Sequence, residues 1–343
     1  MIDIPENDPN IDHCYNISAG KYRRYHGQGW RQFTDINTLY LNLKDILRTI
    51  RGFWQSWQLL GVLKPNLIFT RGGFVSVPVA LAAKLRGIPY ITHDSDSTPS
   101  LANRIIAPWA AIHAVALDPL DYPYPKHKTY QVGVPIESTY RHVNAKQMQK
   151  YRLELNLQNY KWVICVTGGG NGAKQLNQIV LDNAQYLLTR YPELAIIHIA
   201  GRELASELEQ DYTQQLSSVD LKRVIVKDFV HDLYKYSGAS DIVIARGGAT
   251  NLAEFSAQAK TCIVIPSKQL IWNVKNARSL AANNAIIELS EEHAAQERRL
   301  AMLISDLLDH EEKRSTLAKK FAQYSSPNAT AKLVELILGI ADK

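Results

Sequence analysis

The sequence predicts an α/β protein whose parallel sheets are covered by helices on both faces. From residue 65 onward, short apolar runs alternate with segments of helical spacing, which is the pattern of repeated βαβ units. The runs in the second half are almost continuously apolar, as expected of strands that are buried on both faces. A length of 343 residues accommodates two domains of this kind.

The first half contains the first group of predicted elements. Strands are expected at 66–70, 89–93 and 112–117, and helices at 76–86 and 101–110. Residues 118–136 interrupt this alternation because they include the proline-rich run Tyr122-Pro123-Tyr124-Pro125. We therefore expect an irregular crossing segment there and a linker between domains at 137–150.

The alternation restarts with an apolar strand at 162–167, which runs directly into a glycine-rich turn. A helix is expected at 173–190, and further strands at 194–200, 223–226, 241–245, 261–265 and 285–289. The last 50 residues are mostly helical. These elements predict a first domain at 1–136, a second domain at 151–325 and a C-terminal helix at 326–343.

The composition limits the class of protein. With 46% hydrophobic and 21% charged residues, the chain is globular rather than disordered, collagen-like or a coiled coil. Its three cysteines form no C-x-x-C pair, and two of them, Cys165 and Cys262, lie in apolar runs that predict core positions. This cysteine usage favours a reducing cytoplasm. No uncharged apolar stretch reaches the roughly 18 residues of a transmembrane helix, and the N-terminus lacks a secretory signal.

The net charge of +6 is concentrated in one segment. Residues 20–64 carry eight Lys or Arg against two Asp, together with the tryptophans Trp30, Trp54 and Trp57. A basic and aromatic helical segment indicates a membrane surface or another anionic partner, while an amphipathic helix packed on a sheet explains the same pattern. No nucleic-acid partner is expected, because a net charge of this size is weak support for one.

Two glycine-rich turns each lie between a predicted strand and a predicted helix. They are Gly168–Gly172 and Arg246–Gly248. Amides at a helix N-terminus attract a diphosphate, although the first turn alone fits neither a P-loop nor the full G-x-G-x-x-G spacing and is also compatible with a turn without a ligand. Two such turns in one domain favour a nucleoside diphosphate, and Glu254 is suited to accept two hydrogen bonds from a ribose diol.

A third group of polar residues follows the strand predicted at 89–93. It consists of His93, Asp94 and Asp96. A histidine beside carboxylates suits general-base work or the binding of a hydroxyl group, and a helix cap is the alternative for Asp96. No spacing of His, Cys and Glu resembles a zinc site, so no metal is expected.

Five motifs taken together resemble the MurG family of glycosyltransferase family 28. They are Arg71–Pro78, Thr92–Asp96 with Leu101–Arg104, Gly133–Pro135, Gly168–Ala173 and Gly248–Glu254. That family transfers N-acetylglucosamine from UDP-N-acetylglucosamine to an undecaprenyl-pyrophosphoryl-muramoyl-pentapeptide in peptidoglycan synthesis. The resemblance covers about residues 20–290 and implies a GT-B fold, in which two Rossmann-like domains face a cleft.

The resemblance also implies roles for individual residues. The second domain would bind the UDP-sugar donor through Gly169, Gly170, Asn171, Gly172, Ala249, Thr250, Asn251, Glu254, Asn273 and Asn276. The catalytic residues would be His93, Asp94 and Asp96, with Gly72, Gly73 and Asn103 on the acceptor side. The reaction would be one inverting displacement that uses no cofactor or metal. The acceptor would be linked to a polyprenyl diphosphate, and residues 20–64 would hold the enzyme on the inner face of the cell membrane.

The chain departs from the family pattern in several places. The family's N-terminal G-G-T-G-G-H loop is absent, which predicts a first domain that is incomplete at its start. Glu137 stands where the family often has Arg, Asn171 and Asn273 stand where Gln is usual, and Trp272 replaces a polar residue. These departures leave two alternatives open. One is a related GT-B enzyme that acts on another lipid acceptor or as a UDP-sugar epimerase, and the other is an inactive nucleotide-sugar-binding remnant.

Overall fold

The computed structural model describes residues 11–21, 36–170 and 172–341. Their contacts divide them into two units. The first unit contains the described residues up to 94, residues 99–131 and those from 333 onward. The second unit contains residues 95–98 and 132–332. Each unit contains one sheet of parallel strands, which confirms the predicted fold class of two Rossmann-like α/β domains.

The first unit has a four-stranded sheet with the order β1-β2-β3-β4. Its elements are α1 (Ile36–Leu63), β1 (Ile68–Thr70), α2 (Ser76–Leu85), β2 (Tyr90–Asp94), α3 (Leu101–Ile106), β3 (Ile112–Val115), β4 (Thr129–Gln131) and most of α14 (Ala329–Ala341). Leu60 of α1, Ala82 of α2 and Tyr90 of β2 belong to one buried cluster between the helices and the sheet. Among the described strands, β1 forms an edge of this sheet.

Strand β4 lies in the segment that the proline-rich pattern predicts to be irregular. Thr129–Gln131 nevertheless pairs in parallel with His113–Val115 of β3. The last proline of the run is Pro125, so the backbone N–H groups of the strand remain available for pairing. The Thr129 hydroxyl also donates a 2.9 Å hydrogen bond to the carbonyl oxygen of Pro125. The expectation of an unbroken irregular crossing at 118–136 is therefore wrong at its centre.

The second unit has a six-stranded sheet with the order β10-β9-β8-β5-β6-β7. Its strands are β5 (Trp162–Thr167), β6 (Leu194–Ile199), β7 (Val224–Lys227), β8 (Ile242–Ala245), β9 (Thr261–Val264) and β10 (Ile287–Glu288). Its helices are α4 (Ala145–Glu154), α5 (Lys174–Arg190), α6 (Ala205–Gln215), α7 (Ser218–Leu221), α8 (Leu233–Ala239), α9 (Ala249–Ala257), α10 (Ile271–Ala282), α11 (Glu291–Ala294), α12 (Arg299–Asp309) and α13 (Glu311–Ala322). If β5 is numbered 1 and β6 to β10 are numbered 2 to 6, the order across the sheet, read from β7, is 3-2-1-4-5-6. This is the order of a doubly wound dinucleotide-binding sheet.

The side chains of β5 show why its sequence is continuously apolar. Ile164 and Val166 pack into one buried cluster, while Val163 and Cys165 pack into another. Alternate residues of a strand point to opposite faces of the sheet, so both faces of β5 are covered. Cys165 and Cys262 are both buried, as predicted for core residues.

The division between the units falls after Gln131, which is earlier than the linker predicted at 137–150. Gly133 has a φ of +90°, and a Cβ atom there would lie 2.2 Å from the Cβ of Ser326, so this stretch packs tightly within the second unit. Helix α4 begins at Ala145, inside the predicted linker. The last helix, predicted at 326–343, contributes its residues from Leu333 onward to the first unit.

Although Leu60 belongs to the buried cluster, helix α1 also buries several polar side chains and exposes several apolar ones. Thr38, Asn42, Asp45 and Ser56 are at most 9% exposed. Residues 17–20 lie against this polar side, where the amide of Ser18 donates a 2.8 Å bond to Oε1 of Gln55. The apolar side chains at helical spacing on the exposed side are Leu39, Leu43, Ile46, Leu47, Ile50 and Trp54, which we call the α1 stripe.

The structure covers only part of the basic segment predicted at residues 20–64. Arg23, Arg24, Trp30 and Arg31 lie outside the described residues. Within the part of the chain that the structure describes, none of the helices has the length and apolar content needed to cross a membrane.

Candidate functional site

The two glycine-rich turns start side by side at one edge of the second sheet. β5 pairs with β8, and the register places Thr167 beside Ala245, the last residue of each strand. The winding of the sheet changes direction between these two strands, so the helices that follow them leave toward opposite faces. In doubly wound sheets the crevice outside such a switch point is where ligands bind. The two turns therefore lie at the position that the fold favours for a site.

The first turn, Gly168–Gly172, needs glycine at its last position. Gly172 has a φ of +74°, and a Cβ atom there would lie 2.2 Å from the carbonyl oxygen of Ala200. Its amide donates a 2.9 Å hydrogen bond to the carbonyl oxygen of Gly169, which closes the turn. Gly169 also has a positive φ of +85°, but a Cβ atom there would meet no atom within 4 Å. Asn171, predicted to bind the donor, lies outside the described residues.

Helices α5 and α9 both begin without a side-chain cap. The residues at the N-cap positions are Ala173 and Gly248, and neither accepts a hydrogen bond from the first turn of its helix with a side chain. The predicted donor residues Ala249, Thr250 and Asn251 form the first turn of α9. Unpaired first-turn amides and the positive end of the helix dipole together favour an anion. Two such helix N-termini, which follow two adjacent strands, suit a ligand with two linked phosphates.

Glu254 lies in the second turn of α9 and is half-buried. Burial, and after it the charge of Glu137, raises the pKa of its carboxyl group to about 7. Burial and the charges of Glu254 and Glu137 also raise the pKa of the nearby Tyr140 phenol. Glu137, which stands where the resembling family often has Arg, therefore adds negative charge next to the predicted ribose-binding residue. At neutral pH the Glu254 carboxyl is poised between its neutral and charged forms.

A buried ion pair anchors the end of β8. Nη1 of Arg246 lies 2.7 Å from Oε1 of Glu291, and it also donates a 2.9 Å bond to the carbonyl oxygen of Ile265. Glu291 accepts a further hydrogen bond of 3.3 Å from the amide of Lys268. Sequence reasoning missed this pair because its members lie 45 residues apart and only the order of the strands brings them together.

Asn276 of α10 uses its amide group within the second unit. Its oxygen accepts a 2.9 Å bond from the amide of Ser97, and its nitrogen donates to Oδ1 of Asp96 at 2.8 Å and to the carbonyl oxygen of Gly247 at 3.0 Å. The backbone oxygen of Asn273 lies 2.2 Å from where a Cβ atom of Gly247 would be, so α10 packs closely on the second turn. The contacts give Asn276 and Asp96 a positioning role, and their predicted roles in binding and catalysis stay predictions.

In the first unit, the predicted residues at the end of β2 are buried. His93 is 0% and Asp94 is 4% exposed. One oxygen of Asp94 accepts a 2.7 Å bond from the hydroxyl of Tyr124, and the other accepts a 3.2 Å bond from the amide of Ser100. Both oxygens of this carboxylate are thus engaged inside the unit, which favours a structural anchor over a general base. The catalytic roles of His93 and Asp94 stay predictions.

Gly72 and Gly73, predicted on the acceptor side together with Asn103, follow β1. Asn103 is fully buried, and its amide nitrogen donates a 3.0 Å bond to the carbonyl oxygen of His93. A Cβ atom on Gly72 would lie 2.7 Å from that nitrogen, whereas one on Gly73 would meet no atom within 4 Å. Asn103 therefore joins the turn after β1 to the end of β2.

An aromatic group that sequence reasoning missed lies beside the first glycine turn. The guanidinium carbon of Arg202 is 3.9 Å from the centre of the Phe229 ring, and the ring of His231 is 4.9 Å from it. Phe229 would be 3.8 Å from a Cβ atom on Gly170. Their position in the sequence could have indicated them, because they follow the strands predicted at 194–200 and 223–226. Ligands bind at the carboxyl ends of such strands.

Comparisons with known proteins agree with this geometry. The family model for the glycosyltransferase family 28 C-terminal domain matches residues 163–333, and the model for its N-terminal domain matches residues 31–115. The chain is 30% identical over 328 residues to the UDP-N-acetylglucosamine--N-acetylmuramyl-(pentapeptide) pyrophosphoryl-undecaprenol N-acetylglucosamine transferase of Oceanobacillus iheyensis, an alignment that covers 94% of this chain and 83% of that protein. The chain belongs to glycosyltransferase family 28. The protein of the same name from Staphylococcus haemolyticus is 31% identical over 335 residues, which is 96% of this chain and 85% of that protein.

This family 28 chain is also similar in fold to solved structures. The crystal structure of MurG from Acinetobacter baumannii matches with a TM-score of 0.66 at 21% identity, covering 86% of this chain and 79% of that one. UDP-GlcNAc 2-epimerase from Neisseria meningitidis, bound to UDP-GlcNAc, matches with a TM-score of 0.62 at 16% identity, covering 85% and 81%. Transferases and epimerases share this fold, so the fold alone does not separate the two activities.

Proposed function

We propose that this chain transfers N-acetylglucosamine from UDP-N-acetylglucosamine to a muramoyl-peptide acceptor carried on a polyprenyl diphosphate, in peptidoglycan synthesis. One arrangement carries the proposal. Two helix N-termini without side-chain caps follow the neighbouring strands β5 and β8, and Glu254 lies in the second turn of α9. The relatives from Oceanobacillus and Staphylococcus, at 30% and 31% identity, are named for this transfer.

The helix N-termini supply the chemistry that the leaving group needs. When the acceptor hydroxyl attacks the anomeric carbon, the hydroxyl passes its proton to a general base, the bond from that carbon to the diphosphate oxygen breaks, and the configuration inverts. Negative charge then develops on UDP, next to the first-turn amides of α5 and α9 and the positive ends of their dipoles. In this proposal these amides take the place of a metal ion, and UDP-sugar is a substrate rather than a cofactor.

Glu254→Gln is expected to weaken UDP binding about 10- to 100-fold, because hydrogen bonds from the ribose to a charged carboxylate contribute about 1.5–3 kcal/mol. Isothermal titration of the full chain with UDP and with 2′-deoxy-UDP measures the effect. Wild type should lose more affinity for the deoxy ligand than Glu254→Gln does, because the neutral amide oxygen of glutamine accepts weaker hydrogen bonds than a carboxylate. That pattern assigns the lost interaction to the ribose hydroxyl.

The pH dependence provides a second readout of the same interaction. Because the pKa of Glu254 is about 7, the charged form that accepts two hydroxyl hydrogens is the major form above pH 7. The advantage of wild type over Glu254→Gln should therefore be larger at pH 8 than at pH 6. Glu209→Gln, which changes an exposed glutamate on α6, is the matched control and should match wild type. Equal UDP affinity in Glu254→Gln and wild type would remove Glu254 from the site.

We further propose that the α1 stripe binds a membrane surface that carries the lipid-linked acceptor. Its side chains are well exposed, from 45% for Leu39 to 61% for Leu47. The exposed cations Lys44 and Arg51 lie on the same helix. An apolar face with cations beside it suits the interface of an anionic bilayer, where the apolar side chains enter the headgroup boundary and the cations meet lipid phosphates.

A vesicle experiment tests this surface. The double variant Leu47→Gln/Trp54→Ala is expected to sediment with phosphatidylglycerol vesicles at least about fivefold less than wild type, because it removes exposed apolar area from the stripe. Leu153→Gln on α4 is the control, since Leu153 is 64% exposed but lies outside the stripe. Binding of the double variant at the wild-type level would show that the stripe is not the membrane-binding surface.

A further inference from the structure

A chain of buried hydrogen bonds reaches the first glycine turn from inside the second unit. Nδ1 of His198 lies 2.9 Å from the hydroxyl of Tyr212, and its Nε2 lies 3.2 Å from Oδ1 of Asn177. Nδ2 of Asn177 donates a 3.0 Å bond to the carbonyl oxygen of Ala200. The exposed fraction is 0% for His198, Tyr212 and Ala200 and 4% for Asn177. This network of hydrogen bonds therefore joins α6, β6 and α5 in the interior of the second unit.

The Ala200 carbonyl at one end of this network determines which atom donates and which accepts in each of its hydrogen bonds. The Ala200 carbonyl only accepts hydrogen bonds, so the amide nitrogen of Asn177 must face it. Oδ1 of Asn177 then faces His198 and requires a hydrogen on Nε2 of the imidazole. Nδ1 is left without a hydrogen and accepts from the Tyr212 hydroxyl. One neutral tautomer of His198 thus satisfies every bond.

The carbonyl oxygen of Ala200 is also the atom that limits the glycine turn. It lies 2.2 Å from where a Cβ atom on Gly172 would be, so the turn rests directly on it. The backbone of Ala200 is also held by β7, because its amide donates a 2.8 Å hydrogen bond to the carbonyl oxygen of Lys227. Asn177 itself lies in the first turn of α5, the helix whose N-terminal amides face the proposed diphosphate.

We propose that Asn177 and His198 are positioning residues that hold Gly172 and the N-terminus of α5 in their anion-binding geometry. This inference rests on the proposed function, since the anion in question is the diphosphate of the UDP-sugar. Neither residue touches the ligand. They act through the Ala200 carbonyl and the first turn of α5, so their loss should lower donor affinity and not only stability.

Asn183 offers a matched control on the same helix. It is 5% exposed, close to the 4% of Asn177. Its nitrogen donates a 2.7 Å bond to the carbonyl oxygen of Ile179, and its oxygen accepts a 3.0 Å bond from the amide of Ala301. Its burial and hydrogen bonding therefore resemble those of Asn177, but it lies further along α5, away from the turn. A purely structural role for Asn177 predicts the same behaviour for both residues.

The experiment compares Asn177→Ala with Asn183→Ala in the full chain. Both should lower the Tm, but only Asn177→Ala should weaken UDP binding, by about tenfold or more. His198→Leu should weaken it to a similar extent, the double variant with Asn177→Ala should add little, and His198→Gln should retain most of the affinity because its amide N–H replaces Nε2–H. Hydrogen exchange of residues 168–176 should accelerate in Asn177→Ala and not in Asn183→Ala.

The two readouts separate failure of this inference from failure of the proposed function. Unchanged exchange at 168–176 in Asn177→Ala overturns the inference whether or not UDP binds. If the wild-type chain binds UDP, equal UDP affinity in Asn177→Ala and Asn183→Ala overturns it as well. Absence of UDP binding by the wild-type chain overturns the proposed function, while the exchange data still decide whether the network holds the turn.

Discussion

Gly172→Ala is expected to abolish measurable UDP binding and to lower the stability of the second unit by about 2–5 kcal/mol. A Cβ atom at this position would lie 2.2 Å from the Ala200 carbonyl oxygen, which is backbone and is held in place on both sides. The φ of +74° adds the strain of a left-handed conformation. The turn must therefore move away from the sheet, and the amides at the N-terminus of α5 move with it.

Gly169→Ala is the control for this effect. Its φ of +85° carries the same kind of strain, but a Cβ atom there meets no atom within 4 Å. We expect it to cost only about 1–2 kcal/mol of stability and to leave UDP binding measurable. Titration calorimetry and thermal unfolding of both variants make the comparison. If the two variants lost UDP affinity equally, backbone strain rather than contact with Ala200 would explain the loss.

His113 in the first unit and His198 in the second are buried and neutral, and each is expected to make its unit less stable at pH 5 than at pH 8. In the second unit the Glu254 carboxyl acts in the opposite direction, because its pKa is raised to about 7. Burial, and after it the charge of Lys128, lowers the pKa of His113 to about 4. Burial lowers the pKa of His198 to about 3. Below pH 6.5 the unfolded chain binds protons that these folded histidines do not, so stability falls as the pH falls. Each histidine should cost about 2 kcal/mol at pH 5 relative to pH 8.

Scanning calorimetry at the two pH values measures this loss. A cost of about 2 kcal/mol corresponds to a Tm shift of roughly 4–8 °C. His113→Gln and His198→Gln should each lower the Tm at pH 8 and remove the contribution of that histidine to the pH dependence of its unit. In the second unit, comparison with wild type separates the His198 contribution from the opposite contribution of Glu254. His127→Gln, which replaces an exposed histidine, should follow wild type. An unchanged pH dependence in both buried variants would contradict this explanation.

Local sequence patterns were sufficient where a site depends on consecutive residues. The apolar run at 162–167 became β5 with the bounds predicted for it, and the glycines after it became a turn at the start of a helix. The second glycine turn was predicted in the same way between a strand and a helix, which are β8 and α9, and Glu254 lies in α9. The strand-turn-helix pattern fixes backbone geometry within about ten residues, so it also fixes where the turn amides lie.

Long-range contacts explain what the sequence could not predict. Asp94 was predicted to be catalytic, yet its carboxylate accepts a bond from Tyr124, which lies 30 residues away in a segment expected to be irregular. The bond between His198 and Asn177 depends on how β6 packs against α5. Helix α1 shows the same limit, because hydropathy alone predicts that its apolar side is buried, whereas residues 17–20 lie against its polar side.

A transfer assay tests the central claim most directly. The full chain is incubated with radiolabelled UDP-N-acetylglucosamine, with or without the polyprenyl-diphosphate-linked muramoyl-peptide. We predict that label enters the lipid fraction only when this acceptor is present, that one UDP is released for each sugar transferred, and that the new linkage has inverted configuration. Label that stays entirely in the water-soluble fraction, or that appears as an epimerised UDP-sugar without acceptor, would contradict the assignment of this chain as the lipid-directed transferase.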